Sequence, residues 1–137
     1  MQISITVDSS KANKRISAAF AAMKNFKEPL TQSKEYILQE VKSNFDTEGV
    51  NITGSKWAKR RRSYKHPILN KTGKLKRSFK QTKLTNKEMH IDSSSGYYKY
   101  HQLGTSKMPQ RQILGFSEKM KNHIVSIFQK FVQSKIK

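Results

Sequence analysis

Cysteine is absent from this 137-residue chain, so it can build neither a disulfide framework nor a thiolate metal site. Acidic residues are scarce, with nine Asp and Glu against 28 Lys and Arg. Acid–base chemistry therefore has few carboxylates to draw on. No apolar run approaches the roughly 20 residues that a membrane-spanning helix needs, so no membrane association is expected. The first seven residues carry no basic leader and their apolar side chains alternate, which excludes a signal peptide. The expectation is a chain made and used on the cytosolic side or within an assembled particle. Apolar residues are also limited, since Ile, Leu, Val and Phe together number 30. They are clustered rather than scattered, which points to one folded domain with a modest core over 1–137.

What the chain has in abundance is positive charge, +19 in all, carried by 22 Lys and only 6 Arg. Such a field repels its own kind and attracts polyanions: nucleic acid, an anionic membrane or an acidic protein surface. A solvated, lysine-rich surface with no partner is the plain alternative.

Periodicity divides the chain into elements. Ile3, Ile5 and Val7 alternate with polar residues, the period of a strand with one buried face. Asp8, Ser9 and Ser10 offer N-cap oxygens to a short helix whose face is Ala12, Ile16, Phe20 and Met23. After a connection at Asn25–Glu28, Pro29 suits a first helical turn, and Leu30, Ile37, Leu38, Val41 and Phe45 form an apolar stripe that ends before Gly49. Residues 49–70 read as an irregular, mobile basic loop. The stretch from Leu69 to Phe79 reads as a turn into a short helix, with Leu75 and Phe79 four apart. Thr82–Leu84 and Met89–Asp92 flank Thr85-Asn86-Lys87 as a hairpin that can lie beside the first strand. Tyr97–Leu103 forms an aromatic-rich helix ended by Gly104, and Thr105–Gly115 is a loop. Ser117 caps a last helix with the stripe Met120, Ile124, Ile127, Phe128 and Phe131. Strands at the start and middle, with helices between and after, give an α+β fold: a small antiparallel sheet packed with amphipathic helices, including a long C-terminal one.

No catalytic or metal site emerges. His66, His90, His101 and His123 are dispersed, and none stands at helical spacing from another or from an acidic residue on a clear helix. There is no glycine-rich phosphate loop, no nucleophile elbow and no carboxylate pair, so no cofactor is implied.

Charge placement says more. Between Glu48 and Glu88 there is no acid, while thirteen Lys and Arg occur. Lys56, Lys59, Arg60, Arg61, Arg62 and Lys65 are the candidate contacts to a partner protein or DNA, because three adjacent guanidiniums cannot all find local carboxylates. Trp57 either stacks on such a partner or plugs into the core, the second being the plainer reading. Tyr97, Tyr98 and Tyr100 either stack on bases or pack into a thin core, with His101 as a hydrogen-bonded member of that packing. Arg111 is an interface anchor or an internal ion-pair partner, and the sequence does not separate the two.

The ordered succession Phe45, Gly54, Trp57, then Leu69-Asn70-Lys71-Thr72-Gly73-Lys74-Leu75 with Ser78, then Tyr100-His101-Gln102-Leu103-Gly104, then Pro109-Gln110-Arg111-Gln112-Ile113-Leu114-Gly115 and a final helix resembles the phage virion morphogenesis family. The chain departs from the family pattern at Lys99, where a small residue usually follows the tyrosine, and at Gln112, where proline often follows the arginine. The resemblance marks Trp57, Gly73, Leu75, Tyr100, His101, Gly104, Pro109, Arg111 and Gly115 as structural positions and implies no catalytic residue. It implies a tail-completion or head–tail joining protein that works through contacts with other phage head, connector or tail proteins. Self-association into a ring, non-specific DNA contact, and a location in the virion and in the host cytoplasm during assembly go with it. A basic nucleic-acid-binding module without a particle role is the alternative.

Overall fold

The computed structural model describes residues 2–6 and 24–136. Val7 and the short helix expected over Ala12–Met23 lie outside the described residues. Strand β1 (Ile3–Thr6) is followed by helices α1 (Lys27–Asp46), α2 (Val50–Thr53) and α3 (Lys74–Arg77), strands β2 (Phe79–Leu84) and β3 (Glu88–Ser93), and helices α4 (Tyr98–Leu103) and α5 (Glu118–Ile136). The three described strands form one antiparallel sheet in the order β1-β3-β2. This is the α+β architecture that the periodicities implied.

The sheet takes its register from its apolar residues. Ile3 lies opposite Ile91 and Ile5 opposite Met89 on one side of β3, and Leu84 lies opposite Met89 on the other. An irregularity between Gln81 and Lys83 shifts the β2 register partway along. Ile3, Met89, Ile91 and Phe79 are buried, while Ser4, Thr6 and Lys80 are exposed, so one face of the sheet meets the core and the other meets water.

Helix α1 covers the apolar face with Leu30, Ile37, Val41 and Phe45, all buried. It starts two residues earlier than the sequence indicated, because the Asn25 Oδ1 accepts the Lys27 N–H at 2.9 Å and Phe26 is driven into the core. The Phe26 N–H also donates to Asn86 O (2.8 Å), tying the helix start to the β2–β3 turn. Helix α5 lies beside α1 and is capped by Ser117, whose Oγ accepts the Met120 N–H at 3.2 Å. Phe128 and Phe131 of α5 pack on the Phe26 ring at centroid distances of 6.3 and 5.9 Å.

Two local expectations are corrected. The stretch 49–70 holds a one-turn helix, α2, set between two left-handed glycines, Gly49 (φ 100°) and Gly54 (φ 80°). At Gly49 the geometry admits no side chain, since a Cβ would stand 2.5 Å from the Trp57 Cδ1. The second correction concerns Leu75 and Phe79, which do not share a helix. Helix α3 stops at Arg77 and Phe79 opens β2 opposite Ser93. Both are still buried, because the chain turns at Ser78, whose hydroxyl bonds Leu75 O and Ser93 Oγ at 2.6 Å each.

The segment 110–115 has no regular structure, yet Ile113 and Leu114 are fully buried. Side chains pair with backbone groups of Gln112, Ile113 and Leu114. The Gln102 Oε1 accepts the N–H of Ile113 (2.8 Å) and of Leu114 (2.9 Å), and the Gln102 Nε2 donates to Leu114 O at 2.8 Å. Asn44 Nδ2 donates to Gln112 O (3.3 Å) and Ile113 O (3.2 Å), and its Oδ1 accepts the Ile52 N–H at 3.0 Å. The Trp57 indole N–H also donates to Gln112 O, at 2.8 Å. Unpaired buried peptide groups are costly, about 1–3 kcal/mol each. Replacing Gln102 or Asn44 by Leu is therefore expected to lower the unfolding free energy by at least about 2 kcal/mol, to be checked by urea denaturation. An exposed-site control, Lys42→Ala, is expected to fall within about 0.5 kcal/mol of the parent.

Candidate interaction surface

The basic stretch runs from the end of α2 along an irregular path to the start of the Leu69–Leu75 turn. Two anchors hold it to the body. Trp57 is buried and meets the Phe45 ring edge-on at 5.6 Å, so the plainer reading of Trp57 as a core plug is the one observed. Arg111 supplies the other anchor. It forms no ion pair among the described residues and is buried rather than exposed: its Nε donates to Ala58 O at 2.9 Å and its Nη2 to Lys59 O at 3.4 Å. Burial, and then the nearby Arg60 charge, pull its pKa down from the usual guanidinium value.

The six candidate contact residues divide. Lys56, Lys59, Arg61, Arg62 and Lys65 are exposed, and none forms an ion pair among the described residues. Arg60 is half-buried and bonded locally: its Nη2 donates to His66 O at 2.8 Å and its guanidinium lies 5.2 Å from the Tyr64 ring centroid. Tyr64 also stacks on His66 at 5.3 Å. Arg60 thus braces the stretch and leaves Arg61 and Arg62 facing solvent.

Helix α4 corrects the expectation for its aromatics. Tyr98 is buried edge-on against Phe79 at 5.2 Å, and burial pushes its hydroxyl well above the usual tyrosine pKa, with Asp92 adding to the shift. Tyr97 and Tyr100, by contrast, are 50% and 47% exposed, and Leu103 is 59% exposed. Residues 97, 100 and 103 follow one side of the short helix, while Tyr98 and Gln102 fill the other. His101 is half-buried beside the Tyr97 ring, and its Nδ1 has no hydrogen-bond partner among the described residues, contrary to the bonded role expected for it. Burial, and then the Arg111 charge, lower its pKa.

Three of the glycines singled out in the sequence stand where the backbone or a close neighbour disfavours a side chain. Gly73 and Gly104 both sit at positive φ (77° and 74°), and a Cβ at Gly104 would stand 2.9 Å from the Gln110 nitrogen. A Cβ at Gly115 would come within 2.8 Å of the Ile52 side chain. Leu75 is buried, and Pro109 is exposed just ahead of the buried 110–115 segment.

Folding brings together two histidines that are 35 positions apart. His66 and His101 line one cavity of about 160 Å³ with Asn70, Lys71, Lys74 and Tyr97, and no carboxylate among the described residues lines it. Sequence reasoning missed this convergence, since nothing in the spacing announces it. His90 instead pairs with Glu88 on the sheet, and His123 stacks on Tyr36 at 4.0 Å. Among the described residues no cluster of three His, Asp or Glu side chains could hold a metal ion, and no helix is long and apolar enough to cross a membrane. A larger groove of about 620 Å³, lined by Ile5, Ile124, Val125, Phe128 and Val132 with polar but non-titratable neighbours, opens between β1 and α5.

Because the folded state holds His101 below its unfolded pKa of about 6.5, the unfolded chain takes up the proton first. This contribution to stability is complete above that value and declines as pH falls through it towards the folded pKa. An NMR titration is expected to give His101 a pKa below that of an exposed histidine. In His101→Gln the stability loss between pH 7 and pH 5 is expected to be smaller than in the parent.

A sequence model of the phage virion morphogenesis family matches residues 7–133. No curated protein and no solved structure matches the chain.

Proposed function

We propose that this chain, which belongs to the phage virion morphogenesis family, is a structural subunit that completes the tail or joins head and tail through protein–protein contacts in a ring. Its role in virion morphogenesis follows from the family. The finer assignment rests on the character of the surface. The observation that carries it is the run of exposed cations Lys56, Lys59, Arg61, Arg62 and Lys65, held on an anchored stretch with no acidic partner among the described residues. Charges held this way remain available to a neighbouring macromolecule, and Arg and Tyr are favoured at protein interfaces. A net charge of +19 opposes spontaneous self-association. The ring therefore closes only when acidic neighbours neutralise that charge, and the free subunit is a monomer or weakly associated. Within the loop 49–70, where Trp57, Arg60 and Arg111 hold the backbone, the exposed turn at Arg61–Lys65 is the part we take to be mobile before docking. The protein acts by contact, with no bond made or broken, in the virion and in the host cytoplasm during assembly.

The test is genetic and biochemical. Removing the gene from the phage or prophage that carries it is expected to abolish infective particles while heads or tails still accumulate. Complementation with Arg61→Glu, Arg62→Glu and Lys65→Glu together is expected to fail, although the variant folds as stably as the parent. Undiminished particle yields without the gene would overturn the reading. If the stretch contacts duplex DNA instead, the log–log salt dependence of DNA binding should lose about 0.9 per phosphate contact removed by Ala substitution. An unchanged slope leaves the acidic-protein reading in place.

A further inference from the structure

We propose that the cavity between α4 and the Leu69–Leu75 turn is a carboxylate socket that receives an Asp or Glu side chain of an acidic neighbouring virion protein, with Tyr97, Tyr100 and Leu103 as the apolar anchor beside it. The proposal rests on the virion-assembly reading and assigns its partner contact to a definite site. The cavity, about 160 Å³, suits one side-chain head group. Its polar lining holds the Lys71 and Lys74 ammonium groups, the Asn70 amide, the Thr72 hydroxyl and the His66 and His101 imidazoles, with no acid among the described lining residues. The His66 Nδ1 is engaged by Arg60 and Pro67, whereas the His101 Nδ1 has no partner among the described residues. Lys71 and Lys74 are exposed and have no ion pair among the described residues. The turn that shapes the rim is formed before any partner arrives, since Leu69 (φ 62°) and Gly73 (φ 77°) both adopt the left-handed conformation and the Arg77 Nη2 donates to Thr72 O at 3.3 Å.

Charge complementarity and the rim together select the occupant. Two unpaired ammonium groups, Lys71 and Lys74, with no acid among the described lining residues attract an oxyanion, and a charge-assisted contact is about twice as strong as a neutral one. Beside it stand two half-exposed tyrosines, a residue type enriched at interface hot spots, with an exposed leucine extending the apolar surface on the same side of α4. Leucine gives nothing to a base-stacking platform, and the Tyr100 ring already carries the Lys99 ammonium 5.3 Å from its centroid. A second copy of this chain is a poor occupant, because two chains that each carry a net charge of +19 repel one another.

The experiment is an NMR titration of the full isotopically labelled chain with three probes: a short peptide of alternating glutamate and leucine, its glutamine–leucine counterpart, and a single-stranded oligothymidylate. The glutamate peptide is expected to shift the His66, His101, Tyr97 and Tyr100 resonances, and the glutamine peptide is not. Lys71→Ala with Lys74→Ala is expected to weaken the glutamate peptide by about tenfold or more. Removing the same charge from α5, Lys119→Ala with Lys130→Ala, is expected to leave its affinity within about twofold. Equal binding of the glutamine peptide, no shift at these residues, or the same shifts with the oligothymidylate would each overturn the socket. So would equal weakening by the α5 variant, which marks attraction to net charge alone. Loss of the socket with a retained need for Arg61, Arg62 and Lys65 in particle assembly would leave the assembly role standing.

Discussion

The fold depends on how buried peptide groups find partners where no helix or strand provides them. The 110–115 segment passes through the core between α1 and α4, and a peptide there without hydrogen bonds would be destabilising. Three side chains from distant positions solve this: Asn44 from α1, Trp57 from the basic stretch and Gln102 from α4. The Gln102 amide pairs with the chain much as a neighbouring strand would, accepting two N–H groups and donating to one carbonyl. The three residues therefore hold together elements that the small sheet does not reach.

That network also determines how the charged surface is presented. Trp57 and Arg111 tie the basic stretch to the body at Gln112 O, Ala58 O and Lys59 O. The Arg111 N–H donates to His101 O at 2.8 Å, so the same segment fixes the end of α4. The stretch and the exposed face of α4 are thereby held on one side of the molecule, where His66 and Tyr97 reach a shared cavity. A thin core with Ile3, Ile37, Phe45, Ile91 and Met120 suffices as a scaffold, because the charged surface needs only to be carried on it.

Much of this was legible in the sequence because period reports burial directly. The alternation at Ile3 and Ile5 gave a half-buried strand, and the 3.6-residue stripes gave α1 and α5 with nearly their observed bounds. The β2–β3 hairpin and the turn at Gly104 were equally readable from local residues. The Leu69–Phe79 stretch misled, because residues four apart can both be buried when one ends a helical turn and the other opens a strand. Tyr97, Tyr98 and Tyr100 look alike in the sequence, although a short helix can bury only one side.

The sequence by itself determined the composition-level properties: the α+β order of elements, the excess of cations, the lack of thiolate chemistry, and the family pattern of glycines, Trp57 and Arg111. Only the tertiary structure decided which polar residues are structural and which remain available. Asn44 and Gln102 are polar and Arg111 is charged, yet each is buried with peptide groups as partners. Arg60 and Arg61 are neighbours of the same type, yet one is bonded to His66 and the other faces water. The physical reason is that a hydrogen bond needs two groups within about 3 Å, and residues 55 to 69 positions apart meet at Gln112 and Ile113 only after the chain has folded.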